Sequence, residues 1–124
     1  MLNGESVGVS SEKPDTGLVT FGPGRTEKPL LNKLITASDS FFKSKRYLGC
    51  TAFELALLAR GGTEAFACLG LEKWDYSAGI LLVKEAGGTV TDFSGKSCGL
   101  EQNYFLASNG GSHDALVKMV ASVS

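Results

Sequence analysis

Hydrophobic and polar residues follow two periods along this chain, one typical of strands and one typical of helices. Short runs of β-branched and aromatic residues predict strands at 18–21, 64–69, 89–93 and 104–107, and a weaker strand at 45–48. Apolar residues at helical spacing, bounded by capping and stop residues, predict helices over 29–40, 51–60, 74–86 and 112–121. Strands that alternate with helices through short connections form βαβ units. The pattern therefore predicts an α/β fold, with a mixed, mostly parallel sheet flanked by helices.

Several polar residues mark where the predicted helices begin. Thr51 and Glu54 have the spacing of a capping box, with Thr51 at the N-cap position. Ser112 is predicted to cap the last helix, and His113 beside it has no Cys or Asp partner at metal or triad spacing, so we expect it at the surface. The segment Gly22–Arg25 is interpreted as a turn after the first strand, since it lacks the further glycines and the lysine of a phosphate-binding loop.

The composition indicates one globular domain over residues 1–124, in which 1–17 is predicted to be mostly loop. The chain has 124 residues, 43% of them hydrophobic and 20% charged, with a net charge of −1. This charge provides no broad positive field for nucleic acid or an anionic membrane. The longest apolar stretch, 80–83, is too short to span a bilayer, and no signal peptide is visible, so we expect a cytoplasmic protein. The three cysteines, at wide spacing, are expected to be buried thiols.

One segment, Trp74–Gly88, indicates a chemistry, because it places a carboxylate at the mouth of an apolar helix that ends on two glycines. Asp75 can cap this helix, and its carboxylate is also a suitable oxygen ligand for Mg²⁺. Gly49, Cys50 and Thr51 precede another helix, whose first N–H groups form a ready site for an anion. In both places simple capping is the alternative, and spacing alone does not exclude it.

The segment Trp74–Gly88 resembles the signature of the inositol monophosphatase family, W-D-x-A-A-G followed by E-A-G-G, with only Ser77 slightly off the pattern. Weaker matches in the same order extend the resemblance over most of the chain, at 1–5, 46–49, 61–62 and 107–109. The resemblance implies that Asp75 is a ligand of a catalytic Mg²⁺ and that Trp74 fixes its backbone. It also implies that Gly49, Cys50 and Thr51 contact the substrate beside its phosphate.

Cys68 departs from the pattern of the inositol-specific relatives, which commonly carry at this position a Glu that binds the inositol ring. A thiol supplies no charged acceptor, so this departure weakens the expectation of inositol phosphate as the substrate and leaves phosphoester hydrolysis untouched. We therefore expect a small inositol, sugar or nucleotide phosphate. The alternative interpretation of Cys68 is a packing residue on a strand.

Two further motifs of the family, an upstream pair of Glu residues and D-P-[IL]-D-G-T, are missing from the sequence. They supply the remaining metal ligands, so one Asp cannot assemble the Mg²⁺ site, and no catalytic residue is predicted here. The chain resembles the C-terminal half of a Mg²⁺-dependent phosphatase. We expect this half to be inactive alone and the full-length enzyme to be a homodimer. The alternative is a non-catalytic binding or assembly module that pairs with a separate N-terminal chain.

Overall fold

The computed structural model describes residues 8–23, 28–47, 50–70, 73–97 and 104–123, and only the backbone of 23 and 73–76. The described residues form five strands and four helices, together with 3₁₀ turns at Pro14–Thr16 and Ser38–Ser40. The strands are β1 (Leu18–Pro23), β2 (Ser44–Arg46), β3 (Ala65–Leu69), β4 (Thr89–Thr91) and β5 (Tyr104–Ser108). The helices are α1 (Lys28–Ala37), α2 (Thr51–Ala59), α3 (Lys73–Glu85) and α4 (His113–Ala121).

The five strands form one mixed sheet in the order β2-β1-β3-β5-β4. Strand β1 pairs in parallel with both β2 and β3, and β5 pairs antiparallel with both β3 and β4. All strands except β5 therefore point in the same direction. The predicted fold class, a mixed and mostly parallel sheet flanked by helices, is confirmed.

Alternate residues of the central strands face opposite sides of the sheet, and each side is covered by two helices. Strand β3 is buried along its whole length, as expected for a strand covered on both faces. Phe66 and Cys68 belong to the hydrophobic cluster under α2 and α3, whereas Ala65, Ala67 and Leu69 belong to the cluster under α1 and α4. The chain is thus a three-layer α/β/α arrangement with two hydrophobic cores.

Helices α2 and α3 approach each other closely at a glycine. A Cβ atom added to Gly79 of α3 would lie 2.9 Å from Cβ of Leu55 in α2, and closer still to one of its methyl carbons. Real Cβ atoms do not make such contacts, so the absence of a side chain at Gly79 is what allows the two helices to meet. No helix in the described ranges is long and apolar enough to cross a membrane.

His113 is buried, so the predicted surface position was wrong. Its Nδ1 lies 2.7 Å from Oγ of Ser108 in β5, and its Nε2 lies 2.7 Å from Oγ1 of Thr91 in β4. The Thr91 hydroxyl donates to the carbonyl of Asp92, so Nε2–H of His113 donates to Thr91 and Nδ1 accepts from Ser108. Burial lowers the pKa of His113, and the nearby Asp114 raises it by less. The neutral ring therefore joins α4 to two strands.

Other sequence interpretations need smaller corrections. Gly22 and Pro23 continue β1 instead of forming the predicted turn, while 24 and 25 lie outside the described residues. Ser112 occupies the N-cap position of α4, but its side chain makes no capping hydrogen bond. The amide N–H of Ser112 instead donates to Oδ1 of Asn109. Cys68 is buried as expected, Cys50 is exposed, and Cys98 lies outside the described residues.

Candidate functional site

Two strands end and two helices begin at the same edge of the sheet. Strands β1 and β3 are parallel and in register at their carboxyl ends, where Pro23 pairs with Leu69. Helix α2 leads into the start of β3 through a short turn, so its N-terminus lies at the carboxyl end of β3, and α3 begins a few residues after that end. Ligands of α/β sheets commonly bind at such an edge. We call this region the carboxyl edge.

The Leu55–Gly79 contact places the first turns of α2 and α3 beside each other. Since both helices start at the carboxyl edge, they run in the same direction. Thr51 precedes Leu55 by four residues and Asp75 precedes Gly79 by four, which is about 6 Å along each helix axis. The backbones of Thr51 and Asp75 therefore face each other across the helix pair. With about 8 Å between the two axes, they flank one small region of space.

The first turns of the two helices make the carboxyl edge attractive to anions. The first N–H groups of a helix have no acceptor within it, and the helix dipole places partial positive charge there. With α2 and α3 side by side, two such ends point toward the same region. This arrangement suits a phosphate group, which several helix N-termini in other folds bind in the same way.

The start of α2 differs by one residue from the sequence prediction. Cys50, not Thr51, is the N-cap residue, and its own side chain makes no capping hydrogen bond. Oε1 of Glu54 instead accepts the amide N–H of Cys50 at 3.2 Å, and the carbonyl of Cys50 accepts the N–H of Glu54 at 2.9 Å. The carboxylate thus reaches back to the N-cap residue as in a capping box. Thr51 is the first helical residue and is buried.

Glu54 is the most unusual charged residue near this edge, because its side chain is 0% exposed. Burial raises its pKa from 4.5 to about 7, and hydrogen bonding to the Thr20 side chain and the Cys50 backbone opposes this rise only in part. Oγ1 of Thr20 and Oε2 of Glu54 are nevertheless both buried without a well-formed hydrogen bond. We regard the Thr20 contact as close but weak. The sequence indicated a capping role for Glu54 but gave no sign of its burial.

The remaining predicted site residues lie at different depths. Cys68 is fully buried in the hydrophobic cluster under α2 and α3, next to Gly22 of β1. Asp75 is the third residue of α3, not its N-cap, and its side chain lies outside the described part, as does Gly49. Within the described ranges, no group of three or more His, Cys, Asp or Glu side chains could hold a metal ion.

Comparison with known proteins shows which family has this fold. The model of the inositol monophosphatase family matches residues 1–124. The chain belongs to this family. The fructose-1,6-bisphosphatase/inositol-1-monophosphatase of Thermotoga maritima is 36% identical over 122 residues, which are 98% of this chain and 47% of that protein. The Nus factor SuhB of Pseudomonas aeruginosa is 36% identical over 118 residues, which are 87% of this chain and 42% of that protein.

A solved structure gives the same result for the fold. The Thermotoga maritima IMPase superposes with a TM-score of 0.89 at 34% identity, over 98% of this chain and 47% of that one. The family includes phosphatases, as the name of the Thermotoga relative states. The chain spans about half the length of the curated relatives that it matches.

Proposed function

We propose that this chain is the part of a Mg²⁺-dependent phosphomonoesterase that binds the substrate phosphate and supplies one metal ligand, Asp75. The observation that carries this proposal is the pairing of the first turns of α2 and α3 at the carboxyl edge. This pairing supports a position of Asp75 near Thr51, in which a metal ligand and an anion-binding helix end would serve the same phosphate. Membership of the inositol monophosphatase family supports this assignment.

The remaining metal ligands are proposed to come from residues that this chain does not contain. When bound, Mg²⁺ neutralises the phosphate and lowers the pKa of a bound water. The residues of this chain have a different task. The first-turn N–H groups of α2, which begin at Thr51, donate to phosphate oxygens, and the Leu55–Gly79 contact holds this turn next to Asp75.

The proposed substrate is a small inositol, sugar or nucleotide phosphate. The name of the Thermotoga relative, a fructose-1,6-bisphosphatase and inositol-1-monophosphatase, supports more than one substrate in the family. At Cys68 a buried thiol replaces the charged acceptor expected for inositol recognition. We therefore propose that sugar phosphates are hydrolysed at least as well as inositol phosphate, and that the full-length form is a cytoplasmic homodimer.

Phosphate release from a panel of phosphomonoesters tests this proposal. With Mg²⁺ present, the chain is assayed first by itself and then mixed with the N-terminal half of the Thermotoga relative. If the DNA upstream of Met1 encodes an in-frame D-P-[IL]-D-G-T sequence, the segment that contains it is used as a matched N-terminal half. We expect activity only in the mixture or in the joined chain. Substantial activity of the chain alone would overturn our account of the metal ligands. Tight pairing with no hydrolysis of any ester would support the alternative, a non-catalytic assembly module.

A further inference from the structure

Glu54 makes two hydrogen bonds to the residue that begins the proposed phosphate-binding turn. Oε1 of Glu54 accepts the N–H of Cys50 at 3.2 Å, and the backbone N–H of Glu54 donates to the Cys50 carbonyl at 2.9 Å. Cys50 is exposed, whereas Glu54 is fully buried. The buried carboxyl therefore holds the amide of a residue that faces solvent, while the first backbone hydrogen bond of the helix holds its carbonyl. Such a contact fixes the direction in which the next N–H groups of α2 point.

Strand β1 passes beside the Glu54 carboxyl on the other side. A Cβ atom added to Gly22 would lie 3.3 Å from Oγ1 of Thr51, which is tight, and 3.5 Å from Oε1 of Glu54, which is ordinary van der Waals contact. The backbone of β1 is therefore close to both side chains.

Fold stability alone does not account for a carboxyl at this position. Oε2 of Glu54 and Oγ1 of Thr20 are both buried without a hydrogen-bond partner. A buried polar atom without a partner destabilises a fold relative to an apolar group of the same shape. Besides the weak contact with Thr20, the carboxyl accepts a hydrogen bond from the Cys50 amide, at the N-terminus of α2. That contact gives the side chain a role in the site.

We propose that Glu54 is a positioning residue for substrate binding, which fixes the Cys50 amide and thereby aims the first turn of α2 at the substrate phosphate. This inference rests on the proposed function. Glu54 itself does not touch the substrate in this account, since it is buried beneath the turn. Its loss should therefore weaken substrate binding and leave the chemical step largely unchanged.

Two substitutions separate this role from a general structural one. Glu54→Leu has a similar size and no acceptor, whereas Glu54→Gln keeps an oxygen for the Cys50 amide. In the chain alone, Glu54→Leu should increase hydrogen exchange at the Cys50 amide about tenfold, the equivalent of one lost hydrogen bond. Glu54→Gln should restore most of the protection. Glu85→Leu, at an exposed carboxylate on α3, is the matched control and should leave Cys50 exchange unchanged.

Kinetics of the active mixture provide the second measurement. Glu54→Leu should raise KM for a phosphomonoester about tenfold, with kcat changed less than about twofold, and Glu54→Gln should bring KM back toward the wild-type value. If Glu54→Leu does not fold, Glu54→Asp, which withdraws the oxygen by one methylene, takes its place in both assays. Unchanged Cys50 exchange, or a loss confined to kcat, overturns the proposal. If the wild type releases no phosphate, the proposed function fails, and exchange at Cys50 still decides whether Glu54 positions this amide.

Discussion

Substitution of Gly79 tests the helix contact that brings Thr51 and Asp75 together. The added methyl group of Gly79→Ala would lie 2.9 Å from Cβ of Leu55, too close for the side chain of Leu55 to relieve by rotation alone. Overpacking of this kind costs about 1–3 kcal/mol. Alanine is favoured over glycine within a helix by about 1 kcal/mol, which offsets part of this cost. We therefore expect Gly79→Ala to lower the free energy of unfolding by about 1 kcal/mol.

Urea denaturation followed by far-ultraviolet circular dichroism measures this free energy. Ala78→Gly, at the neighbouring exposed position of α3, is the control that gives the helix-propensity difference in the same helix. The pair Leu55→Ala and Gly79→Ala should cost less together than the sum of the two single changes, by about 0.5–3 kcal/mol, because Leu55→Ala removes the methyl carbon that the added group would meet most closely, although it keeps the Cβ atom. If Gly79→Ala stabilises the chain by about 1 kcal/mol, as expected for an open helix position, the inferred contact is wrong.

Three further predictions concern buried titratable groups and exposed apolar surface. The raised pKa of Glu54, about 7 in the fold against 4.5 unfolded, means that its contribution to stability is complete below about pH 4.5 and is lost as the pH rises through 7. Glu54→Gln should flatten that part of a pH–denaturation curve, and an unchanged curve would contradict the burial of this carboxyl. Burial lowers the pKa of His113, so stability should fall as the pH drops below 6.5. His113→Gln should remove this loss in thermal denaturation at acidic pH. Phe53, Leu81 and Leu82 are 55%, 50% and 39% exposed on α2 and α3, so the isolated chain should bind a hydrophobic dye, and Phe53→Ser with Leu82→Ser should reduce the signal. A monodisperse chain without dye binding would contradict the expectation that other residues of a longer protein cover these side chains.

The fold followed from the sequence because its elements are strongly patterned. The predicted strand 64–69 is apolar after Glu64 and is followed by Gly70, and Ala65–Leu69 forms the central strand β3. The helix 51–60 was placed within one residue, since the double glycine at 61 and 62 stops it. The order of the strands was not predictable, because register depends on which buried faces meet and not on the pattern of any one strand.

The errors arose where a residue's partners lie far away in the sequence. His113 has no Cys or Asp at metal or triad spacing, yet Thr91, 22 residues before it, and Ser108 on β5 both hydrogen-bond to its ring. Gly22 and Pro23 have the composition of a turn, but the ladder with β3 keeps them extended. A sequence pattern reflects local structural preferences, and at both places tertiary contacts outweighed these preferences.

The candidate site was predictable only in part. Asp75 and the turn around Cys50 were predicted as site residues from the resemblance to the inositol monophosphatase family, and their roles stay predictions, while the backbones of both lie at the carboxyl edge. The shift of the N-cap from Thr51 to Cys50 was not predictable, because threonine is much the better capping residue. Burial of Glu54 was not predictable either, because it depends on how α2 packs against the sheet.

The most direct test of the central claim is the Mg²⁺ dependence of phosphate release after Asp75→Asn. The active mixture, or the joined chain, is assayed over a range of Mg²⁺ concentrations, with Asp114→Asn, at an exposed position of α4, as the control. If Asp75 is a metal ligand, its substitution should raise the Mg²⁺ requirement or lower kcat by about a hundredfold, and the control should behave as wild type. Wild-type activity and Mg²⁺ dependence in Asp75→Asn would contradict the account.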